Sequence, residues 1–396
     1  MTILNKDHLV SLGESETTAL PWSQVMLLDE FTSPVADFWL ITIFNAASIY
    51  NASFNDIIPS DILDSIQTGL VRLLLSNTSE AFIDIIDPIY TELVIKLRIP
   101  ESNIILLSGS PDINTTITQV ALAHNKKEIK AGWFVLFLIG AVRQIKRDHD
   151  GEMITDRTRT VFNKKFINLG GRWRLHRPAL VALLTATNLL EYGYVSLFEC
   201  DDHMTWEKIW NTLINHHRNN VIAMTLLEEN KEKIINLPPL YIDTTGFNHE
   251  NYVNESVLLD CLCHESLHEY YNNTYFSVVT ETNYYTTGQF VPTRAITEKT
   301  FKPIAFRHAF IIMGPPGMLL LLHQLGFKTF SPYINESYDD EKDDIIRMLL
   351  VINEIDRLCK LEGDELTEFL TLTSEICDFN YNILMDPETP GLIMLN

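Results

Sequence analysis

Residues 275–330 constrain the fold more than any other part of the chain, because strand-like and helix-like segments alternate along them. Residues 275–280 are rich in aromatic and β-branched side chains and end at a glutamate, which predicts a buried strand. The spacing of later apolar residues predicts a second strand at 309–313, a helix at 318–325 and a third strand at 327–330. This alternation predicts a βαβαβ unit, whose strands form a parallel sheet.

Thr297, Glu298 and Lys299 lie between the first predicted strand and a short helix that follows it. Ligands of parallel α/β sheets bind at the carboxyl ends of strands, beside helix N-termini that attract anions. A carboxylate there accepts hydrogen bonds from ribose hydroxyls, and an ammonium neutralises a diphosphate. Glu281, at the end of the strand, is expected on the same edge. The alternative is an exposed helix start with a threonine N-cap and a glutamate that favours the helix dipole.

Composition limits the classes of protein to which this chain can belong. Hydrophobic residues make up 46% of its 396 residues, which is enough for packed cores and argues against wholesale disorder. The formal charge of −22 disfavours a nucleic-acid coat or a membrane-surface protein. The longest apolar run, residues 132–142, is too short to cross a bilayer, so we expect no membrane partner. Five cysteines and an N-terminus unlike a signal peptide predict a reducing, cytoplasmic compartment.

The predicted architecture is α/β, with two Rossmann-like domains followed by a helical C-terminal segment. The first domain is expected to span residues 1–160 and the second residues 161–360, with a C-terminal helix and tail at 361–396. Amphipathic spacing predicts long helices at 340–360 and 366–379.

The apolar segments of the first domain divide into strands and helices by their length and spacing. Residues 25–28 and 103–107 are short apolar runs, which predict buried strands. Residues 61–75 and 85–97 carry apolar side chains at helical spacing, which predicts amphipathic helices. We therefore expect a sheet covered by helices in the first domain.

Positive charge is concentrated between Arg143 and Arg177, where ten of the thirty Lys and Arg residues lie against four acidic residues. Residues 148–159 are polar and predict a solvated loop. The later part contains Gly170-Gly171 and leads into a helix predicted at 178–190, although it matches neither a Walker loop nor GxGxxG. A glycine turn before a basic helix start can hold a pyrophosphate through backbone N–H and guanidinium groups. The candidate side chains are those of Arg172, Arg174 and Arg177.

The segment His264-Glu265-Ser266-Leu267-His268 matches H-E-x-x-H, the motif of zinc metalloproteases. On a helix the two histidines share one face and can bind Zn²⁺, with Glu265 as general base. No third histidine follows at metzincin spacing, where Thr274 stands instead. The alternative is a surface helix that packs its apolar side inward and holds no metal. A zinc metalloprotease is therefore kept as an alternative function.

The order of segments from Asn168 to Phe330 resembles the donor-binding domain of GT-B glycosyltransferases, particularly the α1,3-fucosyltransferase-like and exostosin-like group. In that group a strand leads to a helix start containing Asn and Arg, which Asn168 and the arginines at 172, 174 and 177 match. A later strand ends in a glutamate and is followed by Thr-Glu-Lys, matched here by Glu281 and residues 297–299. The usual SxExS pattern appears as Thr280-Glu281-Thr282-Asn283, so the donor sugar is not predicted. Residues 298–339 are also similar to uncharacterised glycosyltransferases of tailed phages and large viruses.

This resemblance implies that the second domain binds a nucleotide diphosphate sugar as co-substrate, with no other cofactor and no metal. Glu281 and Glu298 would lie near the ribose or the sugar, and the arginines at 172 and 174 with Lys299 near the diphosphate. The expected donor-binding residues are Asn168, Arg172, Arg174, Arg177, Glu281, Thr297, Glu298 and Lys299.

The first domain would hold the acceptor, which is a glycan, a small molecule or hydroxymethylated phage DNA lying along the basic stretch. If the reaction inverts, a carboxylate or histidine of this domain acts as general base, with Glu80, Asp84 and Asp87 as candidates. A non-catalytic nucleotide-binding module is a second alternative function. For a viral protein the expected compartment is the host cytoplasm. The sequence predicts no oligomeric state.

Overall fold

The structure is a computed structural model, and it describes most of the second half of the chain and parts of the first half. The described residues are 9–12, 37–43, 58–77, 85–135, 138, 141–142, 145, 161–170, 174–197, 205–240, 267–286, 294–386, 389 and 392–395. The strand predicted at 25–28 lies outside them.

The first sheet contains five parallel strands in chain order. They are β1 (Leu9–Leu12), β2 (Asp37–Ile43), β3 (Val71–Asn77), β4 (Ile104–Ser108) and β5 (Lys130–Phe134). Leu73 of β3 pairs with Ile104 of β4, and Ile105 pairs with Lys130 of β5. β4 is buried along its whole length, as expected for a parallel strand with both faces covered.

The described residues between β2 and β5 include α1 (Ser60–Thr68), α2 (Ile86–Pro88), which continues as a π-helix (Ile89–Lys96), a 3₁₀ helix (Glu101–Asn103) and α3 (Ile113–Ala123). The prediction of one helix over 61–75 is wrong beyond Thr68. Gly69 ends α1 in the left-handed conformation at φ 81°, and β3 begins two residues later. The predictions of a helix at 85–97 and a strand at 103–107 are confirmed.

The second sheet has four parallel strands in the order β7-β6-β8-β9. They are β6 (Phe166–Gly170), β7 (Gly193–Leu197), β8 (Phe276–Thr280) and β9 (Ala309–Met313). The chain builds outward from β6 to β7 and then returns to place β8 on the other side of β6. This reversal is a topological switch point, where open α/β sheets form a crevice beyond the carboxyl ends of their strands.

Nine helices of the second half surround or extend this sheet among the described residues. They are α4 (His176–Ala186), α5 (Trp206–His217), α6 (Val221–Glu229), α7 (Lys231–Ile235), α8 (His268–Asn272), α9 (Glu298–Ala305), α10 (Met318–Gln324), α11 (Asp344–Cys359) and α12 (Gly363–Met385). All residues of α4 are buried, so this helix is part of the core.

The third strand predicted at 327–330 is wrong, because this segment does not join the second sheet. Asn380 of α12 makes the backbone hydrogen bonds to Lys328 that a neighbouring strand would make. Its Oδ1 accepts from the backbone N–H of Lys328 and its Nδ2 donates to the carbonyl of the same residue, both at 2.8 Å. The predicted βαβαβ unit therefore lacks its third strand and consists of β8, α9, β9 and α10.

The C-terminal segment connects the two sheets. Phe369, Cys377 and Tyr381 of α12 are buried in the core of the second domain. The last strand, β10 (Leu392–Leu395), then pairs antiparallel with β5 of the first sheet. The predicted class of two Rossmann-like α/β domains with a helical C-terminal segment is confirmed, whereas β10 was not predicted. The domain boundaries near 160 and 360 stay predictions.

None of the described helices is long and apolar enough to cross a membrane.

Candidate functional site

Glu281 is the centre of the turn that begins α9. Its carboxylate is fully buried and accepts four hydrogen bonds. Oε1 accepts from the backbone N–H of Thr297 (3.1 Å) and the hydroxyl of Thr300 (2.6 Å), while Oε2 accepts from the Thr297 hydroxyl (2.5 Å) and the backbone N–H of Thr282 (3.3 Å). The first N–H groups of a helix need acceptors, and a negative charge there also suits the helix dipole. Glu281 therefore positions the turn, and its expected contact with the ribose or the sugar stays a prediction.

Glu298 and Lys299 are the charged side chains that this turn presents. Their side chains are 17% and 18% exposed, and Lys299 Nζ lies 2.5 Å from Glu298 Oε1. Lys299 Nζ also donates to the hydroxyl of Thr297 at 3.2 Å. Burial raises the pKa of the Glu298 carboxyl, but the positive charges of Lys299 and Lys302 outweigh burial and lower the pKa to about 2. Glu298 is therefore an ionised acceptor at neutral pH, beside an ammonium group.

Three buried side chains hold the strand ends beneath this turn. Asn168 of β6 donates from Nδ2 to the carbonyl of Val278 in β8 at 2.6 Å. Arg177 of α4 donates from Nη2 to the Glu281 carbonyl at 3.4 Å, and His176 Nε2 lies 2.9 Å from the same oxygen. Burial and the neighbouring guanidinium hold the pKa of His176 well below its usual value, so the ring is neutral and donates. These contacts of Asn168 and Arg177 fix the end of β8, and their expected contact with the donor stays a prediction.

The turn after β9, Gly314-Pro315-Pro316-Gly317, is closed by Asp339. The carboxylate of Asp339 accepts from the backbone N–H groups of Met318 and Leu319, both at 3.0 Å, and its carbonyl accepts from Gly317 N–H at 2.8 Å. Burial raises the pKa of Asp339 to about 6, although both N–H groups act to lower it. The N-terminus of α10 is therefore already occupied by an acidic side chain of the protein, which holds this turn in place.

Asp112 and Arg294 join the carboxyl edges of the two sheets. Asp112 follows β4 and precedes α3, and Arg294 lies three residues before Thr297. Arg294 donates from Nη2 to Asp112 Oδ1 at 2.6 Å, and from Nε and the backbone N to Asp112 Oδ2 at 3.0 and 2.9 Å. Its Nη1 donates to the carbonyl of Gly317 at 3.2 Å. The first sheet therefore meets the second beside the turn that carries Glu298 and Lys299.

Asp87 lies away from this meeting point. Its Oδ1 is 2.8 Å from Nε2 of His124, which follows the C-terminal end of α3. Asp112 is at the other end of this helix, about 18 Å from His124 at 1.5 Å per residue. This distance argues against Asp87 as a general base. Arg174 is exposed just before α4, and its expected contact with the diphosphate stays a prediction.

Several predicted site residues lie outside the described part of the chain: Glu80, Asp84, Arg172, His264 and Glu265. His268 begins α8, and its ring packs edge-on against Phe306 at 5.1 Å between centroids. Among the described residues, no three His, Cys, Asp or Glu side chains are grouped so that they could hold a metal ion.

Sequence reasoning missed Asp112, Arg294, Thr300 and Asp339. A signal for Asp112 was present, because it follows Ser108-Gly109-Ser110-Pro111 at the end of a predicted strand. No local pattern joins it to Arg294, which lies 182 residues further along the chain.

No protein-family model and no curated protein matches the chain. Among solved structures, it is similar to a glycosyltransferase from Rickettsia africae ESF-5, with a TM-score of 0.37 and 8% identity, over 94% of this chain and 81% of that one. It is also similar to the catalytic domain of starch synthase IV from Arabidopsis thaliana bound to ADP and acarbose, with a TM-score of 0.35 and 11% identity, over 92% of this chain and 76% of that one. At these values neither likeness bears on the function of this chain.

Proposed function

We propose that this protein is a glycosyltransferase that moves a sugar from a nucleotide diphosphate sugar to an acceptor hydroxyl. One observation carries the proposal. The carboxyl edges of two parallel sheets meet at Asp112 and Arg294, beside a helix start that presents Glu298 and Lys299. Crevices at such edges are where α/β sheets bind nucleotides, and two facing edges provide separate sides for a donor and an acceptor.

The donor side is the start of α9. Lys299, with Lys302 in the same helix, offers positive charge to a departing diphosphate, and no metal is needed for that neutralisation. The ionised Glu298 is suited to accept hydrogen bonds from ribose or sugar hydroxyls. Arg174 is exposed just before α4, and we expect it to contact the diphosphate together with Arg172, which precedes it in the sequence. The resemblance of residues 168–330 to GT-B donor domains supports the same assignment.

The acceptor side is the carboxyl edge of the first sheet. β3 ends at Asn77 on this edge, and Glu80 and Asp84 follow it in the sequence, outside the described residues. A general base at one of these two carboxylates would take the proton of the acceptor hydroxyl if the reaction inverts. The acceptor is a glycan or small molecule, with hydroxymethylated phage DNA as the rival, which salt-dependent DNA binding would support.

The test is binding and turnover with a panel of nucleotide diphosphate sugars, using the wild-type chain and Glu298→Ala and Lys299→Ala variants. We expect one donor to bind and be hydrolysed slowly, and each variant to lose at least about a hundredfold in transfer, as for removal of one group that stabilises developing charge. Thermal unfolding of both variants should stay close to that of the wild type.

Lys360→Ala is the matched control, because Lys360 also pairs with a neighbouring carboxylate, that of Asp356, but on the exposed face of α11. It should leave transfer unchanged. Failure of every donor to bind would contradict the proposal, and binding without turnover would favour a nucleotide-binding module instead.

A further inference from the structure

We propose that Arg294 and Asp112 form an interdomain tie that positions the α9 turn against the first domain. The catalytic consequence of the tie rests on the proposed glycosyl transfer, whereas the tie itself concerns only the arrangement of the two domains. Neither residue belongs to the set expected to contact the donor, so each would act through the turn that it holds.

The contact has the geometry of a strong ion pair. Two guanidinium nitrogens and the backbone nitrogen of Arg294 all donate to the carboxylate of Asp112, at 2.6 to 3.2 Å. The two side chains are only 25% and 30% exposed, so water screens the pair less than it screens a fully exposed one. The neighbouring carboxylate raises the pKa of Arg294, which keeps the guanidinium charged. A fork-shaped pair of this kind fixes orientation as well as distance.

Asp112 is itself anchored to the first sheet. Its backbone N–H donates to the hydroxyl of Ser110, whose own N–H donates to the hydroxyl of Ser108, both at 3.1 Å. Gly109 N–H donates to the carbonyl of Asn77 at the end of β3. The Asp112 side chain does not cap its own helix α3, although residues at that position often do so. The first sheet therefore holds the backbone of Asp112 in place, and the carboxylate is directed to the other domain.

Arg294 is anchored equally firmly on the second domain. Its Nη1 donates to the carbonyl of Gly317, and a β-carbon built on Gly317 would lie 2.9 Å from that nitrogen. Three residues later the chain reaches Thr297, which the buried Glu281 holds at the start of α9. Arg294 thus links the end of the first sheet to both turns of the second, and its loss would leave the α9 turn without this contact to the first domain.

The experiment is a double-mutant cycle on the full chain with Asp112→Ala, Arg294→Ala and the double variant. Solution X-ray scattering of the ligand-free protein measures the arrangement of the domains, and donor binding, donor hydrolysis and transfer are measured in parallel. We expect each single variant to have a larger radius of gyration and at least about tenfold lower kcat for transfer, because small displacements of reacting groups are costly. Donor affinity should change by less than about threefold, since Glu281 still holds the turn.

The double variant should be no worse than either single variant, because both act through one contact. Arg294→Lys keeps the positive charge but loses the two-nitrogen contact of the guanidinium, so it should recover part of the transfer activity. This variant also keeps the test valid if an alanine variant fails to fold. Arg357→Ala is the matched control, since its fork binds Glu354 within α11, and it should leave scattering and transfer unchanged.

Unchanged scattering in both single variants, or additive losses of transfer in the double variant, would overturn the tie. A large loss of donor affinity in Arg294→Ala alone would instead make Arg294 a donor ligand and also overturn it. If no nucleotide sugar binds the wild type, the proposed function fails, but the scattering cycle still decides whether the tie exists.

Discussion

The helices α9 and α10 follow neighbouring strands, and a carboxylate from outside the helix holds the start of each. Only α9 presents charged groups there. At α9 the carboxylate of Glu281 accepts from the N–H and hydroxyl of the N-cap residue Thr297, whose hydroxyl accepts from Lys299 N–H. At α10 the carboxylate of Asp339 accepts directly from the first two helical N–H groups. The first two residues of α9 are Glu298 and Lys299, which remain partly exposed, whereas those of α10 are Met318 and Leu319, which are buried. A carboxylate that caps a helix therefore builds a candidate binding edge only where charged residues follow it.

The two helix starts also have opposite electrostatic environments. Burial raises the pKa of Glu298, but two lysines overcome this and lower it to about 2, while at Asp339 burial prevails and the pKa rises to about 6. Both carboxylates lie close to helix N-termini, so the dipole alone does not decide the result. Nearby lysines decide it, which makes the start of α9 the one suited to an anionic ligand.

Among the substitutions at these two helix starts, removal of the Glu281 carboxylate is expected to have the largest effect on stability and donor binding. Glu281→Ala leaves the backbone N–H of Thr297 and two threonine hydroxyls without their acceptor inside the protein. We expect a loss of about 4 kcal/mol in the free energy of unfolding and no detectable donor binding. Urea denaturation and titration with the donor found in the panel measure the two effects.

Glu281→Gln is the control, because its carbonyl oxygen still accepts part of this network, and it should lose less than the alanine variant. Asp339→Ala should destabilise the chain at α10 but leave measurable donor binding. Wild-type donor affinity in Glu281→Ala would show that the α9 turn does not depend on this carboxylate.

The pH dependence of stability should separate the two carboxylates by sign. Glu298 has a lowered folded pKa, so its contribution is present above its ordinary value of 4.5 and is lost as the pH falls from there toward about 2. Asp339 has a raised folded pKa, so the folded state gains stability as the pH falls from about 6 toward its ordinary value of 3.8. A difference of about two pKa units corresponds to about 3 kcal/mol in each case.

Urea denaturation of Glu298→Gln and Asp339→Asn between pH 3 and 7 measures these slopes against the wild type. Relative to the wild type, Glu298→Gln should recover as the pH falls, and Asp339→Asn should lose. Parallel curves for the two variants would mean that the lysines do not control the α9 start.

Local pattern was sufficient where one segment decides its own structure. β9 lies at 309–313 as predicted, since five apolar residues between turn signals specify a buried strand. A helix start at the Thr-Glu-Lys turn was also predicted, with Thr297 or Thr300 as N-cap, and the structure has Thr297 in that position. Gly69 was a local signal that the helix at 61–75 should end early, but the leucines beyond it fit a helix and a buried strand equally well.

Long-range contacts account for what the sequence did not predict. The strand expected at 327–330 failed because Asn380, 52 residues away from Lys328, satisfies that backbone. The contacts that Glu281, Asn168 and Arg177 make within the protein were also not predicted, because their partners come from distant segments. Charge and spacing identify which residues lie at a sheet edge, but they do not distinguish side chains that face a ligand from those that hold the edge.

Thr300→Val is expected to give the smallest effect, and it tests whether Glu281 depends on all its donors. The substitution removes the 2.6 Å hydrogen bond to Glu281 Oε1 and nearly preserves the shape of the side chain. Oε1 keeps the backbone N–H of Thr297 as a donor, so we expect a loss of about 1.5 kcal/mol in the free energy of unfolding, measured by urea denaturation.

Thr373→Val is the matched control, because Thr373 is also a buried helical threonine, but its hydroxyl donates only to the carbonyl of Phe369 in its own helix at 2.7 Å. That carbonyl is a neutral acceptor within the helix, so its loss should cost about 0.5 kcal/mol or less. Equal losses in the two variants would mean that the charge on Glu281 adds nothing to the bond, and that its other three donors are enough to hold the carboxylate.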